Sequence, residues 1–172
     1  MELERATLAD LPRLHRLIEG AYRGDTARSG WSHEADLLAG QRIDVETLAL
    51  MVGDPVEDLL LWRDKGEKVA CVALTDKGGG LTYLGLLTVD PSRQASGVGK
   101  SLLAAAEAWA AQHRAATRME MTVIVQRPEL IAWYERRGYQ LTGERRPFPH
   151  GDARFGEPRR PDLEFVVLEK AL

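Results

Sequence analysis

The stretch Val89-Asp90-Pro91-Ser92-Arg93-Gln94-Ala95-Ser96-Gly97-Val98-Gly99-Lys100-Ser101 joins an apolar run to a run with helical periodicity. Asp90-Pro91 ends the preceding strand, because proline has no N–H to give to a ladder. Gly97 and Gly99 open a helix whose apolar stripe is Leu102, Leu103, Ala106, Trp109 and Ala110. Glycines at such a turn let the backbone come close to a ligand. The N–H groups of a helix start point outward and, with the helix dipole, make a cradle for an anion such as pyrophosphate. Two nucleotide-binding readings fail on single residues. Gly99-Lys100-Ser101 matches the end of G-x-x-x-x-G-K-[ST], but that pattern needs glycine where Gln94 stands. The dinucleotide pattern G-x-G-x-x-G needs a third glycine where Leu102 stands. The alternative to a ligand loop is a glycine turn that merely starts a helix.

Working outward, residues 2–6 read as a short strand, and Thr7 and Asp10 supply helix-start oxygens ahead of Leu11, Leu14, Leu17, Ile18 and Ala21. Residues 24–40 have no clean period and read as a structured loop, followed by a helix over 45–52. Apolar runs at 59–62 and 69–74, joined by Arg63-Asp64-Lys65-Gly66, predict a hairpin. The turn Gly78-Gly79-Gly80 leads into a third run, 81–89. Downstream, 119–125 is β-rich, and Pro128 suits the first turn of a helix carrying Leu130, Ile131, Trp133 and Tyr134. Gly138 is a C-terminal stop, and the last strands fall at 139–142 and 163–168, across an arginine- and proline-rich connection. The order β-α-α-β-β-β-α-β-α-β-β predicts an α+β fold in one domain over 1–172. Antiparallel hairpins come first, and a β-α-β crossover then sets two strands parallel.

The 172 residues are 44% apolar and 28% charged, which excludes disordered and fibrous classes. Lys plus Arg is 23 against 26 for Asp plus Glu, so there is no basic excess of the kind nucleic-acid binding needs. Cys71 is the single cysteine, and His15, His33, His113 and His150 are scattered without ligand spacing, so no metal is expected. No apolar run approaches the ~20 residues that cross a bilayer, and Met1-Glu2-Leu3-Glu4-Arg5 is no signal peptide. The expectation is a cytoplasmic protein with no membrane partner. Charge is uneven: residues 31–58 hold seven acids against one base, Arg42, and residues 136–160 hold seven arginines against three acids.

The run Gln94-x-x-Gly97-x-Gly99 resembles the Q/R-x-x-G-x-G/A acyl-CoA loop of the GNAT superfamily of N-acetyltransferases. Val89-Asp90-Pro91 ahead of it and Tyr134-Glu135-Arg136-Arg137-Gly138-Tyr139 behind it match the same family. The resemblance implies a mixed sheet of about seven strands flanked by about four helices, in which two parallel strands splay apart to admit the pantetheine of acetyl-CoA. It implies that main-chain groups of Leu87, Thr88 and Val89 pair with the pantetheine, one N–H polarising the thioester carbonyl. Gln94, Ala95, Ser96, Gly97, Val98, Gly99 and Lys100 then hold the pyrophosphate, with Ser101 beside them. Arg127 falls where many relatives have an Asn that contacts the cofactor. Tyr134 matches the general acid that protonates the departing thiolate.

The base is less defined. Thr122, twelve residues before Tyr134, stands where many relatives have Glu. Glu120 shares that strand face by even spacing, Glu34 and His33 lie in the loop after the first helix, and a water chain is a fourth option. The family places residues 24–50 and 143–162 around the acceptor, with Trp31, His33, Glu34 and Phe148 as candidate contacts. The acidic and basic segments would make that pocket zwitterionic, which suits an amine of a small molecule or peptide that also carries a carboxylate. The competing class is a CoA-binding regulatory or structural module without turnover. A homodimer is admitted by either.

Overall fold

The computed structural model describes residues 2–23, 27–28, 30–31, 33–64, 66–94 and 96–172. The elements are β1 (Glu2–Arg5), α1 (Leu11–Tyr22), β2 (Leu38–Ala39), α2 (Val45–Gly53), β3 (Glu57–Asp64), β4 (Glu67–Gly78), β5 (Leu81–Val89), α3 (Val98–Arg114), β6 (Arg118–Ile124), α4 (Pro128–Glu135), β7 (Gln140–Pro147), β8 (Glu157–Pro158) and β9 (Glu164–Ala171). The fold is α+β, as the element order predicts. Seven strands form one mixed sheet in the order β1-β3-β4-β5-β6-β9-β7, and β2 and β8 form a separate two-residue pair. Among the described residues, only β5 and β6 run parallel within it.

Strand alternation divides the core between the two faces of the sheet. Leu59, Leu61, Cys71 and Ala73 turn to the face covered by α1 and α2, against Leu11, Leu14, Ile18 and Leu48. Leu60, Trp62, Ala70, Val72 and Leu74 turn to the face covered by α3 and α4, against Leu102, Leu103, Ala106 and Tyr134. In β5 the alternation breaks. Leu84 and Val89 share one face although their spacing is odd, and Leu86 lies on the other. The cause is a β-bulge: Cys71 pairs with Thr88 and Ala73 with Gly85, so two residues of β5 stand opposite the single Val72. Leu86 takes a φ of 50° there.

The bulge bends β5 away from β6. Their pairing covers Leu81, Thr82 and Tyr83 with Arg118, Met119 and Glu120 and goes no further, while β6 stays paired with β9 as far as Ile124 and Phe165. A wedge opens between the C-terminal halves of the two parallel strands. A third apolar cluster, Leu38, Ile124, Phe148 and Leu163, lies at the side of that wedge.

Two elements differ from the sequence reading. The strand expected at 139–142 runs on to Pro147, so Arg145 and Arg146 belong to β7 and pair with Glu164 and Glu120. An edge strand exposed along nearly its whole length has no hydrophobic alternation to announce it. The β2–β8 pair is too short to carry a pattern.

Candidate active site

The wedge is lined as two cavities of about 250 and 240 Å³. The first has Val89, Gln94, Gly97, Gly99, Lys100, Trp31, Trp133 and Arg137 around it. The second has Arg23, Glu34, Arg42, Tyr83, Thr122 and Phe148 among its walls. Tyr22, Leu87, Leu130 and Tyr134 line both, so the cavities meet at these four side chains. A group entering from the first cavity and one entering from the second would face each other there.

The first cavity has the start of α3 and two cationic side chains in its lining. Gly97, at φ 85°, is the N-cap of α3, a left-handed conformation that suits glycine. The first-turn N–H groups of this 17-residue helix have no partner within the helix. Lys100 and Arg137 add positive charge. Arg137 is fixed with its guanidinium 3.6 Å from the Trp133 ring centre and its Nη1 donating to the Trp133 carbonyl at 2.6 Å. Burial, and then Arg136, hold its pKa below the usual arginine value. A Cβ on Gly99 would lie 3.5 Å from Trp133 and 3.7 Å from Val89, at the throat of the cavity.

Along the wedge, the Asp90 N–H donates to the Val69 carbonyl at 2.9 Å. Antiparallel alternation therefore turns the main-chain groups of Val89 toward the side that β6 has left. The Val89 carbonyl accepts there from Gln94 Nε2 at 3.2 Å, and its N–H faces the wedge. The Leu87 carbonyl accepts from the Tyr22 hydroxyl at 2.8 Å. Thr88 is buried and donates its hydroxyl to the Leu86 carbonyl at 2.8 Å, bracing the bulge from behind.

Tyr134 is buried at the junction, edge-on to Trp133 and Tyr139 with ring centres 4.9 and 5.8 Å away. Burial pushes its phenol well above the ordinary value, and the neighbouring Tyr22 adds to the rise. Burial also lifts Tyr22, to about 12. Both are therefore protonated throughout the physiological range.

The remaining predicted residues distribute unevenly. Glu34 lines the second cavity in a 2.6 Å ion pair with the buried Arg23. Phe148 lines it too, whereas Trp31 stands in the first cavity, 6.2 Å from Trp133. Glu120 is buried and gripped by Arg146 through two 3.2 Å contacts, and it lines neither cavity. His33 accepts from the Ala35 N–H at 3.2 Å and Arg127 is buried beside Glu129 at 3.3 Å; neither lines a cavity. Thr122, in the position of the family's Glu, bonds Tyr83 at 2.8 Å. Ser96 turns its hydroxyl to the Arg93 carbonyl, Val98 packs toward the core, and Ser101 is exposed. Ala95 lies outside the described residues.

The expected zwitterionic character has a different source. Asp36 pairs with Arg28, Asp44 caps α2, Asp58 is buried between Arg5 and Arg114, and Arg154 pairs with Asp152. The arginine-rich connection contributes Phe148, Pro149 and Phe155 to the second cavity, and its charges there come from Arg23, Glu34 and Arg42. Tyr22 and Arg42 carry no motif that the sequence could have announced; each is placed by the packing of α1 and the loop before α2.

The splayed parallel strands and the glycine-opened helix beside them agree with the resemblance to the GNAT N-acetyltransferases. The Acetyltransferase (GNAT) family model matches residues 13–139, and the chain belongs to that family. Similar solved structures include the ribosomal-protein-alanine N-acetyltransferase of Brucella melitensis, at 16% identity and TM-score 0.70 over 100% of both chains. A variant of the spermidine N-acetyltransferase of Vibrio cholerae is 14% identical, with TM-score 0.69 over 99% of this chain and 95% of that one. An acetyltransferase of Thermus thermophilus is 18% identical, with TM-score 0.65 over 99% and 96%. No curated protein sequence matches the chain. No helix of the described residues is long and apolar enough to cross a membrane.

Proposed function

We propose that the protein is an acetyl-CoA-dependent N-acetyltransferase that passes the acetyl group directly to a primary amine of a small molecule or peptide, with Tyr134 as general acid. The observation that carries this reading is the meeting of two cavities at Tyr134, one cationic and glycine-mouthed, the other with Arg23, Glu34 and Arg42 among apolar walls. The solved neighbours named for amine acetylation support it. Residues 97–100 and Arg137 suit the pyrophosphate, and the Val89 N–H suits the thioester carbonyl oxygen. The amine nitrogen bonds to the carbonyl carbon, the C–S bond breaks, and the thiolate takes the Tyr134 proton. The amine proton leaves through Glu34, the carboxylate of the second cavity, directly or through water.

A phenol raised by burial remains a proton donor here, because burial disfavours a thiolate as it disfavours a phenolate. Thr122 in place of a carboxylate is the feature that favours a binding module without turnover. The discriminating experiment is release of free CoA thiol from acetyl-CoA across a panel of amines. Amine-dependent release supports the enzyme; acetyl-CoA binding with no release for any amine supports the module.

A further inference from the structure

Among the described residues, the second cavity holds one carboxylate against two guanidinium groups, Glu34 against Arg23 and Arg42. Glu34 and Arg23 neutralise each other across 2.6 Å. Arg42 makes no ion pair among the described residues, and its guanidinium carbon stands 5.2 Å from the centre of the Tyr22 ring. Arg23 Nε is buried and has no hydrogen-bond partner among the described residues, and buried donors are ordinarily matched by an acceptor. The other walls are largely apolar: Leu38, Met121, Ile124, Phe148 and Phe165. A polycation would meet a cavity of its own sign there.

We propose that the acceptor is an apolar amine carrying a carboxylate, of the class of free aromatic and branched-chain amino acids, with Arg42 as its anchor. This rests on the acetyltransferase reading above. A guanidinium grips a carboxylate through two parallel hydrogen bonds, and the Tyr22 ring holds this one in place from behind. The Tyr22 hydroxyl is bonded to the Leu87 carbonyl, so Arg42 stands one tyrosine ring from the junction of the cavities. A carboxylate held at Arg42 leaves the amine toward Tyr134 and the apolar body among the phenylalanines. A chamber of about 240 Å³ accommodates one such body.

The test is the kcat/KM of the whole protein for phenylalanine, leucine, their amides, phenethylamine and spermidine, with acetyl-CoA binding measured separately by calorimetry. The amino acids are expected to exceed their amides and phenethylamine by about tenfold or more, the scale of one charge-assisted contact. Arg42→Gln removes that preference by raising KM for the amino acids, and Arg42→Lys restores part of it, with the acetyl-CoA Kd unmoved in both. Equal use of amide and acid, a preference for spermidine, or a preference that survives Arg42→Gln overturns the anchor while leaving the acetyltransferase standing. Acetyl-CoA binding without transfer to any amine, or no binding, overturns the underlying reading and this inference with it.

Discussion

Tyr134 and Tyr22 are two buried phenols at one junction, and the geometry gives them different work. Tyr22 spends its proton on the Leu87 carbonyl, so it fixes the bulged strand. Tyr134 sits among aromatic edges where the two cavities meet. Tyr134→Phe keeps the ring packing and is expected to leave acetyl-CoA affinity and Tm nearly unchanged while kcat falls by about 10²–10⁴-fold. Steady-state kinetics with a saturating amine, alongside a melting curve, checks this; a lost Tm with retained kcat would make Tyr134 a packing residue. Tyr134, Gly97 and Gly99 were legible because each belongs to a motif with fixed spacing. Tyr22 and Arg42 were not: one ends a helix, the other sits in an irregular segment, and only packing brings them to the site.

The strand β5 is the element on which the site depends. Its Leu86 sits in the left-handed region, which costs a non-glycine residue on the order of 1 kcal/mol or more, and the surrounding bonds hold it there. Thr88→Val removes the hydroxyl that Leu86 accepts while keeping shape. A loss of about 1 kcal/mol is expected, seen as a Tm lower by about 2–4 °C, together with weaker acetyl-CoA binding by calorimetry. A lower Tm with an unchanged Kd would separate the bulge from the proposed cofactor site. The run 81–89 was readable as a strand from its composition alone. Its bulge was not, because leucine is an improbable residue for a positive φ and nothing local advertises the register shift against Val72. The same blindness affects β7, whose exposed arginines look like a connection until Glu120 and Glu164 are seen beside them.

At the scale of the molecule, the seven-stranded order places the single parallel contact between β5 and β6, and the splay there is the cleft. The crossover could be read from the β-α-β succession; insertion of β9 between β6 and β7 could not, since it is a long-range pairing without local signature. Burial of phenols and a thiol near this cleft also sets an alkaline limit. Tyr22 and Cys71 are each lifted to about 12, and Tyr134 is lifted as well. Below about pH 8 these groups are protonated folded or unfolded and add no pH dependence. As pH rises past their ordinary values the unfolded chain sheds protons that the fold retains. Stability should therefore fall from about pH 9 toward 12, by on the order of 1 kcal/mol per pH unit for each group. Urea unfolding across that range reads the slope, and Tyr22→Phe should flatten it; an unaltered slope would mean that Tyr22 is hydrated in the native state.

In the proposed reaction the two cavities are occupied together and the acetyl group crosses once, at Tyr134. The buried Cys71 thiol, lifted to about 12 and with Sγ 3.8 Å from the Leu86 carbonyl, is poorly suited to carry an acyl group between two half-reactions. Initial velocities measured while acetyl-CoA and an accepted amine are both varied test this directly. Double-reciprocal lines that intersect, as a complex of both substrates requires, are the predicted result. Parallel lines, with acetyl transfer from acetyl-CoA to the protein in the absence of amine, would mean a covalent acyl-protein intermediate and rule out direct transfer.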